Sequence, residues 1–171
     1  MEIPNTINNY SVWLSGSRVI GMADVTLPNI TNLTDEVKGA GIGGTITYPV
    51  MAHFDDMTTT FRFHTITSQA VNLLRQDCMH IEARAGVQYH DPGPCKIIIG
   101  AWRFVMQVLP RAFNLGKLDV GTKEEVECEM DVAYIKGVRD GEDVFEIDKF
   151  NLICKVLGHD YGSAIRQALG I

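Results

Sequence analysis

Residues 125–134 read Glu125-Val126-Glu127-Cys128-Glu129-Met130-Asp131-Val132-Ala133-Tyr134. Acidic and apolar side chains alternate with a period of two, and successive side chains of a strand point to opposite faces. The stretch predicts a strand that turns Val126, Cys128, Met130, Val132 and Tyr134 one way. Glu125, Glu127, Glu129 and Asp131 then form an acidic row on the other face. Asp140-Gly141 follows, a hairpin dipeptide because both turn positions of a tight hairpin need positive φ. Val144–Val156 is the returning strand. Its phase slips, with Phe145 and Ile147 on one parity and Phe150, Leu152, Cys154 and Val156 on the other. The slip predicts a bulge near Asp148-Lys149.

The same period runs outward from this hairpin. Tyr10, Val12 and Leu14 alternate with Ser11, Trp13 and Ser15. A turn at Ser15-Gly16-Ser17 leads to a second strand through Val19-Ile20-Gly21-Met22. Val25 and Leu27 continue until Pro28, and Pro28–Glu36 reads as a polar loop. Thr45–Ala52 is strand-like, with Pro49 placing it at an edge. Met57–His64 and Met79–Tyr89 are further strands, the latter with Ile81, Ala83, Ala85 and Val87 on one face. Ile97–Leu109 is a long apolar strand or strand pair with Gly100 as a bulge, and Pro110–Val120 connects. Ser68–Gln76 breaks the pattern with helix formers, a shared face of Ala70, Val71 and Leu74, and a cap at Thr67 or Ser68. Tyr161–Ala168 gives a short C-terminal helix. The expectation is a mainly β protein, a sandwich or barrel, with one flanking helix and a short C-terminal one.

Composition narrows the function. The chain has 171 residues, 46% of them hydrophobic and 21% charged, which excludes wholesale disorder. Fifteen Lys+Arg against twenty-one Asp+Glu leave a net charge of -6. A freestanding nucleic-acid binder carries the opposite sign. No run approaches the roughly 18–20 apolar residues of a membrane helix, and Met1–Thr6 lacks the basic and apolar regions of a signal peptide. Cys78, Cys95, Cys128 and Cys154 form no C-x-x-C, so most of them are expected to be small buried apolar residues in a reducing cytosol. The sequons at Asn29 and Asn32 mark only a polar loop.

No motif supplies chemistry. Gly39-Ala40-Gly41-Ile42-Gly43-Gly44 has G-x-G-x-x-G spacing, but a dinucleotide site needs a helix after it, and Thr45-Ile46-Thr47-Tyr48-Pro49 resists one. A flexible loop or hairpin is expected instead. His53 with Asp55 and Asp56, and His80 with Glu82, lack a third ligand at zinc spacing. Gly-x-Ser-x-Gly is absent. No catalytic residue, cofactor or metal is expected.

The order of signals resembles a known family. Asp24-Val25-Thr26-Leu27-Pro28, then Lys38-Gly39-Ala40-Gly41, then Glu146-Ile147-Asp148-Lys149-Phe150-Asn151, then the ending Leu169-Gly170-Ile171 resemble the major tail tube protein of contractile-tailed phages. The same family serves R-type bacteriocins. The likeness in order spans nearly the whole chain, and about residues 53–120 it holds in pattern only.

The resemblance implies one tail tube domain over 1–171, with an extended Gly-rich hairpin at about 37–60. It implies hexameric rings that stack into a rigid tube, which a contracting sheath drives through the target's envelope. A tape-measure protein fills the lumen, and baseplate and terminator proteins close the ends. Synthesis in the bacterial host cytoplasm would precede incorporation into a tail. On this reading Glu125, Glu127, Glu129 and Asp131 face the lumen, where an anionic wall lets DNA slide past without sticking. Gly39, Gly41, Gly43 and Gly44 form the inter-ring loop, with Met51, Phe54 and Met57 as its apolar anchors. The alternatives are a tube subunit of a type VI secretion or related contractile machine, a small ligand-binding β-barrel, and an enzyme using His53, Asp55 and Asp56.

Overall fold

The structure is a computed structural model. It describes residues 3–19, 22–39, 41–121 and 125–171. The expected strand continuation through Ile20 and Gly21, and Ala40 of the glycine motif, lie outside the described residues. Among those described, twelve strands and two short helices form. In chain order the strands are β1 (Ile3–Leu14), β2 (Ser17–Val19), β3 (Met22–Thr26), β4 (Asn32–Val37), β5 (Ile46–Phe54), β6 (Thr58–Phe63), β7 (Met79–Asp91), β8 (Lys96–Asn114), β9 (Val126–Arg139), β10 (Glu142–Asp148), β11 (Ile153–Val156) and β12 (His159–Asp160). The helices are α1 (Ser68–Asn72) and α2 (Ser163–Leu169).

Ten strands make one antiparallel sheet in the order β12-β11-β10-β9-β8-β7-β1-β2, and β6 joins β9 with β3 beyond it. β9 is long enough to serve two neighbours on one side. Its first half pairs with β6 (Phe61↔Cys128) and its second half with β10 (Ile147↔Ile135). The sheet thus divides and folds over on itself. Val12, Ile81 and Met106 from β1, β7 and β8 share one core with Phe61 and Phe63 from β6 and with Val126, Cys128 and Met130 from β9. Each fully buried side chain of that size is worth roughly 1.5–3 kcal/mol. Thr59 is also buried, and its hydroxyl donates to the Thr26 carbonyl at 2.9 Å, which ties β3 to β6. The mainly β expectation holds, with sheets that stay open instead of closing as a barrel within one chain.

Asp140-Gly141 turns as expected, with φ of 50° and 91°. The Asp140 carboxylate also accepts from the Ala101 N–H at 2.7 Å, capping β8 where β9 leaves it. Several other expectations are corrected. The phase slip after Ile147 is a turn between β10 and β11, not a bulge at Asp148-Lys149. Asp148 accepts from the Phe150 and Asn151 N–H groups, Leu152 takes a φ of 51°, and Ile147 then pairs with Cys154. Gly100 is in regular register with Val87 and is no bulge. Its missing Cβ leaves space for the Tyr89 ring, which a Cβ would meet at 2.7 Å.

β8 runs on to Asn114 where a connection was expected. Pro110 is accommodated by a register shift against β9 between Pro110 and Ala112, and Pro in a sheet belongs at such irregularities. The predicted loop at Pro28–Glu36 becomes strand from Asn32, since pairing with β5 overrides local polarity. The helix ends at Asn72, short of Gln76, because its C-terminus tightens into i→i+3 bonds such as Leu74 N–H to Val71. It buries Ala70 and Leu73, while Val71 and Leu74 stay exposed. Thr67 is its cap, accepting from the Ala70 N–H at 3.1 Å. Cys128 and Cys154 are buried as expected; Cys78 and Cys95 are exposed at strand ends.

Candidate functional site: an acidic face and a projecting hairpin

Three of the four acidic residues stand on the strand face where the alternation puts them, and Glu125 does not. Val126, Cys128, Met130 and Val132 are buried, and Glu127, Glu129 and Asp131 lie on the opposite face of β9. Glu125 precedes the strand, exposed, with a φ of 47°. Two arginines from flanking strands enter the row. Arg62 on β6 is directly opposite Glu127 and reaches it at 3.3 Å, with Asp24 of β3 at 3.8 Å. Arg111, in the irregular stretch of β8, lies 3.1 Å from Asp131, 3.9 Å from Glu129 and 3.7 Å from Asp56. All these groups are substantially solvated, so each pair is worth about 0–1 kcal/mol. Carboxylates still outnumber guanidiniums, and the face remains anionic. The arginines were not legible from sequence: Arg111 lay in the expected connection, and nothing local ties either residue to the row.

The patch that carries this face is four strands wide, β3-β6-β9-β8. Both of its sides are open. Among the described residues β3 pairs only with β6, and β8 loses β7 after Val108. Beside Leu109–Phe113 runs a groove of about 300 Å³, walled by Leu74 and Gln76.

The glycine-rich stretch lies at the turn of a separate two-stranded sheet, β4-β5, so the G-x-G-x-x-G spacing sits between two strands. Gly41 has a φ of 95°, and a Cβ there would meet nothing; backbone conformation, not space, calls for glycine. Asp35 lies opposite Tyr48 and Val37 opposite Ile46, which puts all four on one face of the ribbon, all exposed. Met51 is 58% exposed. Phe54 packs against the core, and Met57 is 1% exposed within it. Met57 therefore offers no surface as an anchor: it follows the ribbon and already faces inward.

His53, Asp55 and Asp56 sit at the base of the ribbon. The His53 ring contacts the Met51 carbonyl, the Asp55 carbonyl accepts from Lys149, and Asp56 faces Arg111. Glu82 beside His80 is taken by Arg84 at 2.6 Å. Among the described residues no three His, Cys, Asp or Glu side chains group to hold a metal. No helix there is long and apolar enough to cross a membrane.

The fold is shared with the sheath/tube terminator of an extracellular contractile injection system, PVC. The TM-score is 0.54 at 12% identity, covering 79% of this chain and 96% of that one. A chain of the PVC sheath–tube complex in the extended state is also similar, with a TM-score of 0.48, 12% identity and coverage of 80% and 90%. The tail tube protein of Escherichia phage P2 is 25% identical over 178 residues, with both chains fully covered. The model of the family described as phage tail tube protein FII matches residues 4–170, and the chain belongs to that family. The resemblance read from Val25-Thr26-Leu27-Pro28 and the C-terminal hairpin is borne out.

Proposed function

We propose that this tail tube protein builds a hexameric ring through its open sheet edges and lines the lumen with the acidic face. The observation that carries the reading is the coincidence of that face with two free edges on one four-stranded patch. Free edges are liabilities in a monomer. Here β3 of one copy would pair with Leu109–Asn114 of the next, entering the groove beside Leu74, and ring closure would remove both edges. Glu125, Glu127, Glu129 and Asp131, tempered by Arg62 and Arg111, would then repeat around the wall. Anionic walls repel phosphates, whereas basic ones bind them by counterion release. The β4-β5 ribbon, with Gly39, Gly41, Gly43 and Gly44 near its turn and Met51 exposed, would contact the neighbouring ring, and such a head-to-tail contact propagates as a filament.

The partners on this reading are further copies, the surrounding sheath, a tape-measure protein, baseplate and terminator proteins, and DNA in transit where a genome is carried. The subunit would be made in the host cytoplasm. It acts by assembly, without catalysis. Negative-stain electron microscopy of the full chain, concentrated alone and then supplied with its baseplate, tests this. Hollow tubes of uniform diameter are expected. Persistent monomers under both conditions would overturn the proposal.

A further inference from the structure

The ribbon leaves the body at Thr26 and returns at Thr58, whereas α1 follows from Phe63 at the opposite end of the β3-β6 pair. At that far end, the β1-β2 turn and α1 enclose a groove of about 360 Å³. Leu14 and Met79 contribute its apolar lining, and Arg18, Gln69, Asn72 and Arg75 its polar lining. Arg75 is paired with Asp77 at 3.0 Å; Arg18 is exposed and has no ion pair among the described residues.

The ribbon supplies the complement. Val37, Ile46 and Tyr48 are 41%, 41% and 54% exposed on the same face as the Asp35 carboxylate. A two-stranded hairpin is marginal in water by itself, so this apolar face calls for a cover. We infer that the Asp35/Val37/Ile46/Tyr48 face of one copy seats in the Arg18/α1 groove of a second copy, with Asp35 meeting Arg18. The inference rests on the inter-ring reading of the ribbon and names its receiving surface. Knob and hole at opposite ends of one chain make a heterologous contact that repeats without closing.

Photo-crosslinking in assembled tails tests it, using the full chain with p-benzoylphenylalanine in place of Tyr48, expressed in the producing cell. Mass spectrometry should find the adduct on a second copy, in residues 14–18 or 69–75. An adduct elsewhere on a second copy overturns this inference and leaves the inter-ring reading standing. No adduct to a second copy overturns both. A charge exchange supplies an independent readout. Asp35→Arg or Arg18→Asp alone should reduce the number of full-length tails at least tenfold, and the pair together should restore it. Failure of the pair to restore any tails would count against the contact.

Discussion

The guanidinium of Arg111 sits 3.1 Å from the carboxylate of Asp131, one strand away and twenty residues back along the chain. It also faces Glu129 and Asp56, so a single cation screens three carboxylates. Arg111→Gln removes that screen and leaves like charges in proximity. The expected loss is about 0.5–1 kcal/mol at low salt, shrinking towards zero near 1 M salt, where the Debye length is about 3 Å. Thermal melts across a salt series check it. A loss independent of salt would mean that Arg111 acts through packing.

Gly137 is set by the Phe145 ring, which lies directly over it; a Cβ would run into the ring. Phe145 also packs against Phe104, 6.5 Å between centroids, so it has little freedom to retreat. Gly137→Ala should cost about 1–3 kcal/mol as overpacking, and Phe145→Leu in the same chain should recover part of that. Denaturant midpoints measure both.

The four cysteines should divide two and two. Burial pushes the Cys128 thiol up to about 11 and raises Cys154 as well. Cys78 and Cys95 are exposed. Maleimide at pH 7.5 should therefore label the native chain at Cys78 and Cys95 within minutes and reach the other pair only after unfolding. Peptide mapping reads the sites.

At the C-terminus, Arg166 donates to Asp160 at 2.6 Å and to the Leu152 carbonyl at 2.8 Å, which anchors α2 to the β10-β11 turn. The hydrogen bond from Arg166 holds the Asp160 carboxyl below the usual carboxylate range. Its folded pKa therefore lies under the unfolded value of about 3.9. The pair stabilises fully above that value and weakens as pH falls through the folded pKa. Asp160→Asn should lower Tm at pH 7, by about 2–4 °C for each ~1 kcal/mol lost, and the gap should narrow below pH 4.

The parts of the fold written in local pattern were legible. The alternation placed Glu127, Glu129 and Asp131 on one face, Asp140-Gly141 placed a turn, and Thr67 placed a cap, while Glu125 fell outside the strand. The missing parts depend on distant pairing. Asn32–Val37 carries four polar residues in six and becomes a strand because β5 lies beside it. The slip at Asp148 looks the same in sequence whether the chain bulges or reverses. Arg62 and Arg111 reach the acidic row across strands, so no window of sequence contains both partners. The resemblance carried identity further than periodicity did, because it joined weak signals at both ends of the chain.

A cryo-electron microscopy reconstruction of the assembled tube shows which wall carries the acidic row and what β3 pairs with. Glu127, Glu129 and Asp131 are expected on the lumen wall, with β3 of each copy hydrogen-bonded to Leu109–Asn114 of its neighbour. The same row on the outer wall, or β3 left unpaired in the ring, would contradict this arrangement.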